Sequence, residues 1–271
     1  VCWIFMKKPN QEKLKLNNVL EIKSVSKSFG GIKAQKDISF SIERGQVAGL
    51  IGPNGAGKTT TFNLITGVYK PDTGSIFFDG NDITGRSPIE LVRKGISRTF
   101  QNVALFESMT ALENVMVGSY IRTSSGFLAA VLRTPAFRNE EEKTRQHALE
   151  MLDFVGLKDK AMKRAGDFPL GWQRLLEIAR ALASRPSLIL LDEPAAGLNA
   201  VETSKLGEII SEIRNRGITV LLVEHDMSLT MSISDRIVVL DQGRKLAEGT
   251  PREIQANADV MAAYLGTGEG V

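Results

Sequence analysis

Apolar residues follow three regimes along the chain, and each predicts a different kind of element. Near the start they form short strands: Leu20 to Val25, then Ile38 to Ile42 with alternating apolar positions, then the unbroken run Val47 to Ile51. Alternation marks a strand covered on one face, and an unbroken short run marks one buried on both. The segment Gly74 to Ile83 carries Asp79-Gly80 beside Ile76, Phe77 and Phe78, a hairpin signal because both turn residues accept a positive φ. From about Leu105 to Leu182 the spacing turns helical. Ala148, Met151, Leu152 and Val155 share one helical face, Gly156 supplies the stop, and Glu140-Glu141-Glu142-Lys143 is expected to open that helix as a solvated face. The last third alternates strand and helix as a parallel sheet requires: Leu188 to Leu191, a helix through Leu206, Ile209, Ile210 and Ile213 ended by Gly217, Ile218 to Val223, and Ile237 to Leu240 leading into a turn around Gly243.

Composition narrows the function classes. The chain has 271 residues and no internal repeat, low-complexity stretch or proline-rich linker, so it reads as one α/β unit with a helical insertion. A net charge of +3 is too weak to argue for nucleic acid as a partner. Cys2 is the only cysteine, which rules out a disulfide within the chain. Val1 to Phe5 is apolar but five residues long and precedes its lysines, the wrong order for a secretory signal. With Met6 just downstream, it is expected to be an upstream extension. No run of 18 apolar residues occurs, so any membrane role is expected to come through partners.

The chemistry concentrates at strand ends. Gly52, Gly57, Lys58 and Thr59 fit the spacing Gly, four residues, Gly-Lys-Ser/Thr, directly after the Val47 to Ile51 strand. Glycines let backbone N–H groups turn towards an anion, the helix opening at Lys58 adds its positive end, and Lys58 adds a full charge. Thr59 is placed to ligate Mg²⁺. The second element is an apolar strand ending in two acids, Leu188-Ile189-Leu190-Leu191-Asp192-Glu193. A strand end delivers both carboxylates to the sheet edge where phosphates sit, Asp192 to hold Mg²⁺ and Glu193 to orient or deprotonate the attacking water. His225 follows the next strand and emerges at the same edge, where an imidazole can donate to a terminal phosphate oxygen. Lys58, Glu193 and His225 are thus expected to meet around one terminal phosphate.

With these residues the chain resembles the ATP-binding subunit of ABC transporters, from about Leu20 to Leu265. The resemblance implies a P-loop (RecA-like) nucleotidase core with an N-terminal antiparallel β subdomain and an inserted helical subdomain. It implies an ATPase domain at 20–255 with the helical part at about 102–184, a poorly ordered extension at 1–19 and a tail at 256–271. It also implies that Gly52, Pro53, Asn54, Gly55, Ala56, Gly57, Lys58, Thr59 and Thr60 hold ATP and that Phe29 stacks on adenine. Gln101, in Arg98-Thr99-Phe100-Gln101, would reach Mg²⁺ and the attacking water and join Lys58, Glu193 and His225 among the catalytic residues. The motif that closes over ATP on an opposite subunit, usually Leu-Ser-Gly-Gly-Gln, aligns with Phe168-Pro169-Leu170-Gly171-Trp172, and Pro169, Leu170, Gly171 and Trp172 would be its nucleotide contacts. Pro169 lacks the serine hydroxyl and Trp172 replaces the glutamine, so a weakened contribution is expected, with Gly171 and a helix starting after it surviving. In the following loop, Ala195-Ala196-Gly197-Leu198-Asn199, Asn199 stands where many members carry aspartate.

Among such subunits the chain looks like the ATPase of bacterial branched-chain amino acid importers. Arg98 to Gln101, the insertion around Gly126 to Asn139, Leu176-Glu177-Ile178-Ala179-Arg180 and Ala262-Ala263-Tyr264-Leu265-Gly266 carry that likeness. The resemblance implies a second ATPase subunit, identical or merely similar, two transmembrane permease subunits and, indirectly, a solute-binding protein, with no nucleic acid. It places the protein on the cytoplasmic face of the membrane as a peripheral subunit. The ATPase of a lipid or lipopolysaccharide exporter, a non-transport regulatory ABC protein and a pseudo-ATPase remain as alternatives. A GTPase is disfavoured because no Asn-Lys-x-Asp segment occurs.

Overall fold

Val47–Ile51 (β3) is buried at every position, and the reason is its place inside a six-stranded sheet. Its parallel neighbours are Thr219–Val223 (β8) on one side and Arg236–Asp241 (β9) on the other. Beyond β8 lie Leu188–Asp192 (β7) and then the short edge strand Ile96–Arg98 (β6), also parallel. Arg244–Gly249 (β10) closes the far edge antiparallel to β9. These features come from a computed structural model that describes residues 17–122, 134–225 and 227–265. The expectations for Val1 to Phe5, most of the extension at 1–19, the first part of the Gly126 to Asn139 insertion, and Gly266 onwards lie outside the described residues.

A second, antiparallel sheet comes from the N-terminal part, in the order β2-β1-β4-β5. Its strands are Asn18–Phe29 (β1), Ile32–Glu43 (β2), Thr73–Phe78 (β4) and Asn81–Asp82 (β5), with Asp79-Gly80 turning the last pair as expected. One core lies between the two sheets, joining Leu20, Phe40 and Ile76 to Leu50, Leu188, Leu190 and Leu221. The other face of the large sheet, through Ile189, Leu191 and Val220, packs on helices. Alternate residues of β7 therefore enter different cores, which is why its sequence is apolar without a break.

Nine α-helices are found among the described residues: Lys58–Ile65 (α1), Pro88–Lys94 (α2), Ala111–Ser119 (α3), Pro135–Phe154 (α4), Leu170–Ala183 (α5), Ala200–Asn215 (α6), Met227–Ile233 (α7), Pro251–Gln255 (α8) and Ala258–Leu265 (α9). Helices α3, α4 and α5 are inserted between β6 and β7. None of the nine is long and apolar enough to cross a membrane.

Three departures from the sequence reading have local causes. Helix α4 opens at Pro135 rather than at the Glu140 charge run, because Thr134 accepts from Phe137 N and Pro135 takes the first helical position, where its missing N–H costs nothing. Helix α5 starts at Leu170, inside the Pro169 to Trp172 segment rather than after it, with Pro169 as its N-cap. The turn at Gly243 opens a further strand, β10, whose polar, edge-lying residues hide it from an apolar pattern.

Candidate nucleotide site

Strand β3 runs straight into the glycine loop, and two of its glycines are sterically enforced. A Cβ on Gly52 would sit 2.1 Å from the Leu240 carbonyl oxygen at the end of β9, and one on Gly57 would sit 2.5 Å from Gln35 Nε2. Gly57 also has φ 101°, where a side chain is strained. Gln35, buried on β2, donates from Nε2 to Gly57 O at 2.6 Å and to Thr61 Oγ1 at 2.9 Å, tying the small sheet to the loop. The first backbone bond within α1 runs from Thr61 N to Gly57 O at 2.9 Å, so the amides of its opening turn, at Lys58, Thr59 and Thr60, face out of the helix N-terminus. Lys58 is buried and its Nζ turns onto Gly52 O at 2.6 Å and Pro53 O at 3.1 Å. Asn54, Gly55 and Thr59 are exposed, while Pro53 and Ala56 are buried at the base of the loop.

Across the sheet edge, hydrogen bonds join Glu193, His225 and Gln101. Glu193 Oε1 lies 2.8 Å from His225 Nε2, and its Oε2 accepts from Gln101 Nε2 at 2.9 Å. Glu193 holds the left-handed conformation with φ 48°, costly for a residue with a side chain by about 1–2 kcal/mol. Its N–H donates to Val223 O at 2.8 Å, which fixes the β7 end against the β8 end. Lys58 projects from the loop after β3, next to β8 in the sheet, so the strand order brings all of these groups to one edge. Asp192 is buried, with Oδ2 accepting from Arg98 Nη2 at 2.7 Å. Thr59, Gln101 and Asp192 offer hard oxygen donors with one carboxylate among them. That set suits Mg²⁺, which takes one or two carboxylates and completes its shell with phosphate and water. No cluster of three or more His, Cys, Asp or Glu that could hold a metal occurs among the described residues.

Several contributors escaped the sequence reading. Tyr69 stands edge-on to Phe29 with ring centres 5.0 Å apart, both partly exposed, so the expected adenine platform is an aromatic pair. Glu224, ahead of His225, accepts from Ala195 N at 2.6 Å and so links the histidine's loop to the loop after the two acids. Adjacency to His225 is the only sequence signal for Glu224, and Tyr69, far from Phe29 along the chain, has none.

The Pro169 to Trp172 segment divides by role. Leu170 is exposed and covers Gly197 of the following loop; Gly171 is buried, and a Cβ there would meet Glu202 Oε1 at 2.5 Å. Trp172 turns its ring edge-on to Phe168 at 5.6 Å, with Lys160 Nζ 4.7 Å above it, which makes its aromatic body a packing element of the helical part. Asn199 caps α6, accepting from Val201 N and Glu202 N at 3.0 Å, a task that needs a side-chain oxygen and no charge. Pro169 caps α5 with no side-chain bond. Serine there can both accept from the first turn and offer a hydroxyl to phosphate. Pro169→Ser is therefore expected to raise stability by about 0.5–2 kcal/mol and to raise ATP turnover of the assembled transporter. Unchanged turnover would show that the hydroxyl is dispensable.

A parallel core with a glycine loop opening a helix, and with strand-end acids beside it, defines a P-loop nucleotide-binding protein. The sequence model of the family described as ABC transporter matches residues 35–196. The chain is also 48% identical to the high-affinity branched-chain amino acid transport ATP-binding protein BraF of Pseudomonas aeruginosa, over 92% of this chain and 98% of that protein. The chain belongs to the ABC transporter family, as one of its ATP-binding proteins. Another relative, LivG of Escherichia coli K12, bears the same description and is 43% identical over 92% of this chain and 98% of its own. A further family model, described as branched-chain amino acid ATP-binding cassette transporter, matches residues 244–270. Among solved structures, the ADP conformation of MJ1267, an ATP-binding cassette of an ABC transporter, superposes with a TM-score of 0.81 at 34% identity, covering 92% of this chain and 99% of that one.

Proposed function

We propose that this protein is the Mg²⁺-dependent ATPase subunit of an importer for branched-chain amino acids, working on the cytoplasmic face of the membrane beside two permease subunits. The observation that carries the ATPase reading is the convergence of Gln101 and His225 on the two oxygens of Glu193, since a base flanked by two positioning groups is the arrangement that orients a water for in-line attack. In this reading Gly52 to Thr60 cradle the phosphates of ATP and Lys58 leaves its loop carbonyls for the terminal phosphate. The Phe29 ring, flanked by Tyr69, stacks on adenine, a contact worth about 1–3 kcal/mol. Thr59, Asp192 and Gln101 would hold Mg²⁺, which when bound would supply positive charge beside the phosphate oxygens. Glu193 takes the proton of the attacking water, and His225 donates to a terminal oxygen.

A second ATPase subunit would bring the Pro169 to Gly171 end of its α5 over the nucleotide, with sandwich closure driven by the higher ATP affinity of the closed state. The solute assignment rests on the relatives at 43–48% identity, whose printed names specify branched-chain amino acids. It is tested by co-purifying the protein with its membrane subunits and reconstituting them in liposomes with a solute-binding protein. ATP-driven uptake of leucine, isoleucine or valine is expected. Association instead with subunits that extract lipid, and no amino acid uptake, would overturn it.

A further inference from the structure

Arg98 ends β6, three residues before Gln101, and its guanidinium is shared between two elements of the nucleotide site. Nη2 donates to Asp192 Oδ2 at 2.7 Å, while Nη1 donates to Asn63 Oδ1 at 2.6 Å and lies 3.3 Å from Thr66 Oγ1. Asn63 stands on α1, the helix that opens with Lys58 and Thr59, and Thr66 is its C-cap. The guanidinium carbon lies over two rings, 5.6 Å from the centre of Phe62 and 5.3 Å from that of Phe100. The side chains of Arg98 and Asp192 are only 11% and 2% exposed, so the pair is shielded from water. The same strand end is stitched to β7 by Thr99, whose N–H donates to Leu190 O at 2.9 Å and whose Oγ1 lies 3.3 Å from Asp192 N.

We infer that Arg98 is a positioning residue for the metal site. Resting on the reading of Asp192 as a Mg²⁺ ligand, the inference is that Arg98 takes one oxygen of that carboxylate, Oδ2, and so fixes Oδ1 as the oxygen presented to the cation. Its other arm holds α1, so a single side chain sets the span between Asp192 and Thr59. Two acceptors on separate elements need the planar fork of arginine; a lysine ammonium is a point charge that reaches one of them well. The nearby faces of Phe62 and Phe100 add cation–π contacts that favour this placement of the guanidinium. Groups that orient a metal ligand from behind typically change metal affinity by about 10–100-fold when removed.

The test uses the full chain with a fluorescent ATP analogue, titrated with Mg²⁺ and separately in EDTA, in Arg98→Met, Arg98→Lys and Asp192→Asn. Arg98→Met is expected to raise the Mg²⁺ concentration for half-maximal tight binding about 10-fold, with analogue affinity in EDTA within about twofold of the parent. Arg98→Lys should fall between the two. Equal losses with and without Mg²⁺, or an unchanged Mg²⁺ requirement while Asp192→Asn shifts it, would overturn the inference and leave the reading of Asp192 intact. An unshifted Asp192→Asn would overturn that reading itself. Should Arg98→Met fail to fold, Asn63→Leu removes only the helix-side arm and is expected to move the Mg²⁺ requirement in the same direction by less; no movement would count against the inference.

Discussion

Glu193→Gln should leave the assembled transporter able to bind ATP tightly while its turnover falls by at least about 100-fold, because general-base assistance is typically worth 10²–10⁴. The substitution changes charge and basicity at almost constant shape. Glutamine keeps one acceptor oxygen, which can still take the Gln101 Nε2 bond or face His225 Nε2, and the left-handed backbone at position 193 is strained alike for both residues. The proposed phosphate cradle, Gly52 to Thr60, follows another strand, so binding has no reason to weaken. With hydrolysis blocked, the ATP-bound closed state persists, and apparent affinity should rise. Turnover in proteoliposomes and retention of labelled ATP after gel filtration read the two quantities separately. Turnover within about fivefold of the parent would remove Glu193 from the base role and shift attention to His225. Loss of binding together with turnover would mean that the contacts to Gln101 and His225 hold up the site rather than act in the reaction.

The parts of this site visible in the sequence are those that strand order delivers. Asp192, Glu193 and His225 each follow a continuous apolar strand, and a buried parallel strand has no option but to present its next residues at the carboxyl edge. The glycine loop is legible for the same reason, helped by a spacing that little else produces. Gln101 is different. It follows β6, three residues long, which carries no periodicity, and only the family resemblance pointed to it. Arg98, whose partner Asp192 is 94 residues away, and Gln35, 22 residues from Gly57, act through contacts that no local pattern encodes. Trp172 gains a role that its motif position does not announce. Its place in an aligned motif implies a nucleotide contact across a subunit boundary, and within the chain the ring packs on Phe168 and beneath Lys160. An alignment assigns a position, but the chemistry of the substituted side chain decides what it touches.

Glu177→Ala is expected to destabilise the protein by about 3–5 kcal/mol, the usual cost of removing one partner from a buried charged cluster. The Glu177 side chain is buried on α5, and Oε1 accepts from Ala104 N at 2.9 Å. Arg174 and Arg180, one turn before and after it, lie 3.7 and 3.6 Å from its carboxylate. Those arginines in turn donate to Phe100 O at 3.2 Å and Ala104 O at 2.6 Å. Three successive turns of α5 therefore grip the backbone on both sides of Gln101, tying the helix capped by Pro169 to the segment that carries the glutamine beside Glu193. Burial raises the Glu177 pKa above its ordinary 4.5, against the pull of Ala104 N–H, Arg180 and Arg174. A raised carboxylate pKa contributes stability that is complete below 4.5 and lost as pH rises through the folded-state value. Glutamine keeps the acceptor for Ala104 N without titrating, so the parent should lose stability relative to Glu177→Gln as pH is raised above 4.5. Denaturant melts of both proteins across that range read the difference, and parallel profiles would show that the arginines cancel the burial of the carboxylate. The alanine variant, by contrast, frees the loop at every pH. Its surviving folded fraction should bind ATP normally yet hydrolyse it slowly, because Gln101 is no longer held against Glu193; normal turnover per folded molecule would mean that the grip of α5 serves stability alone.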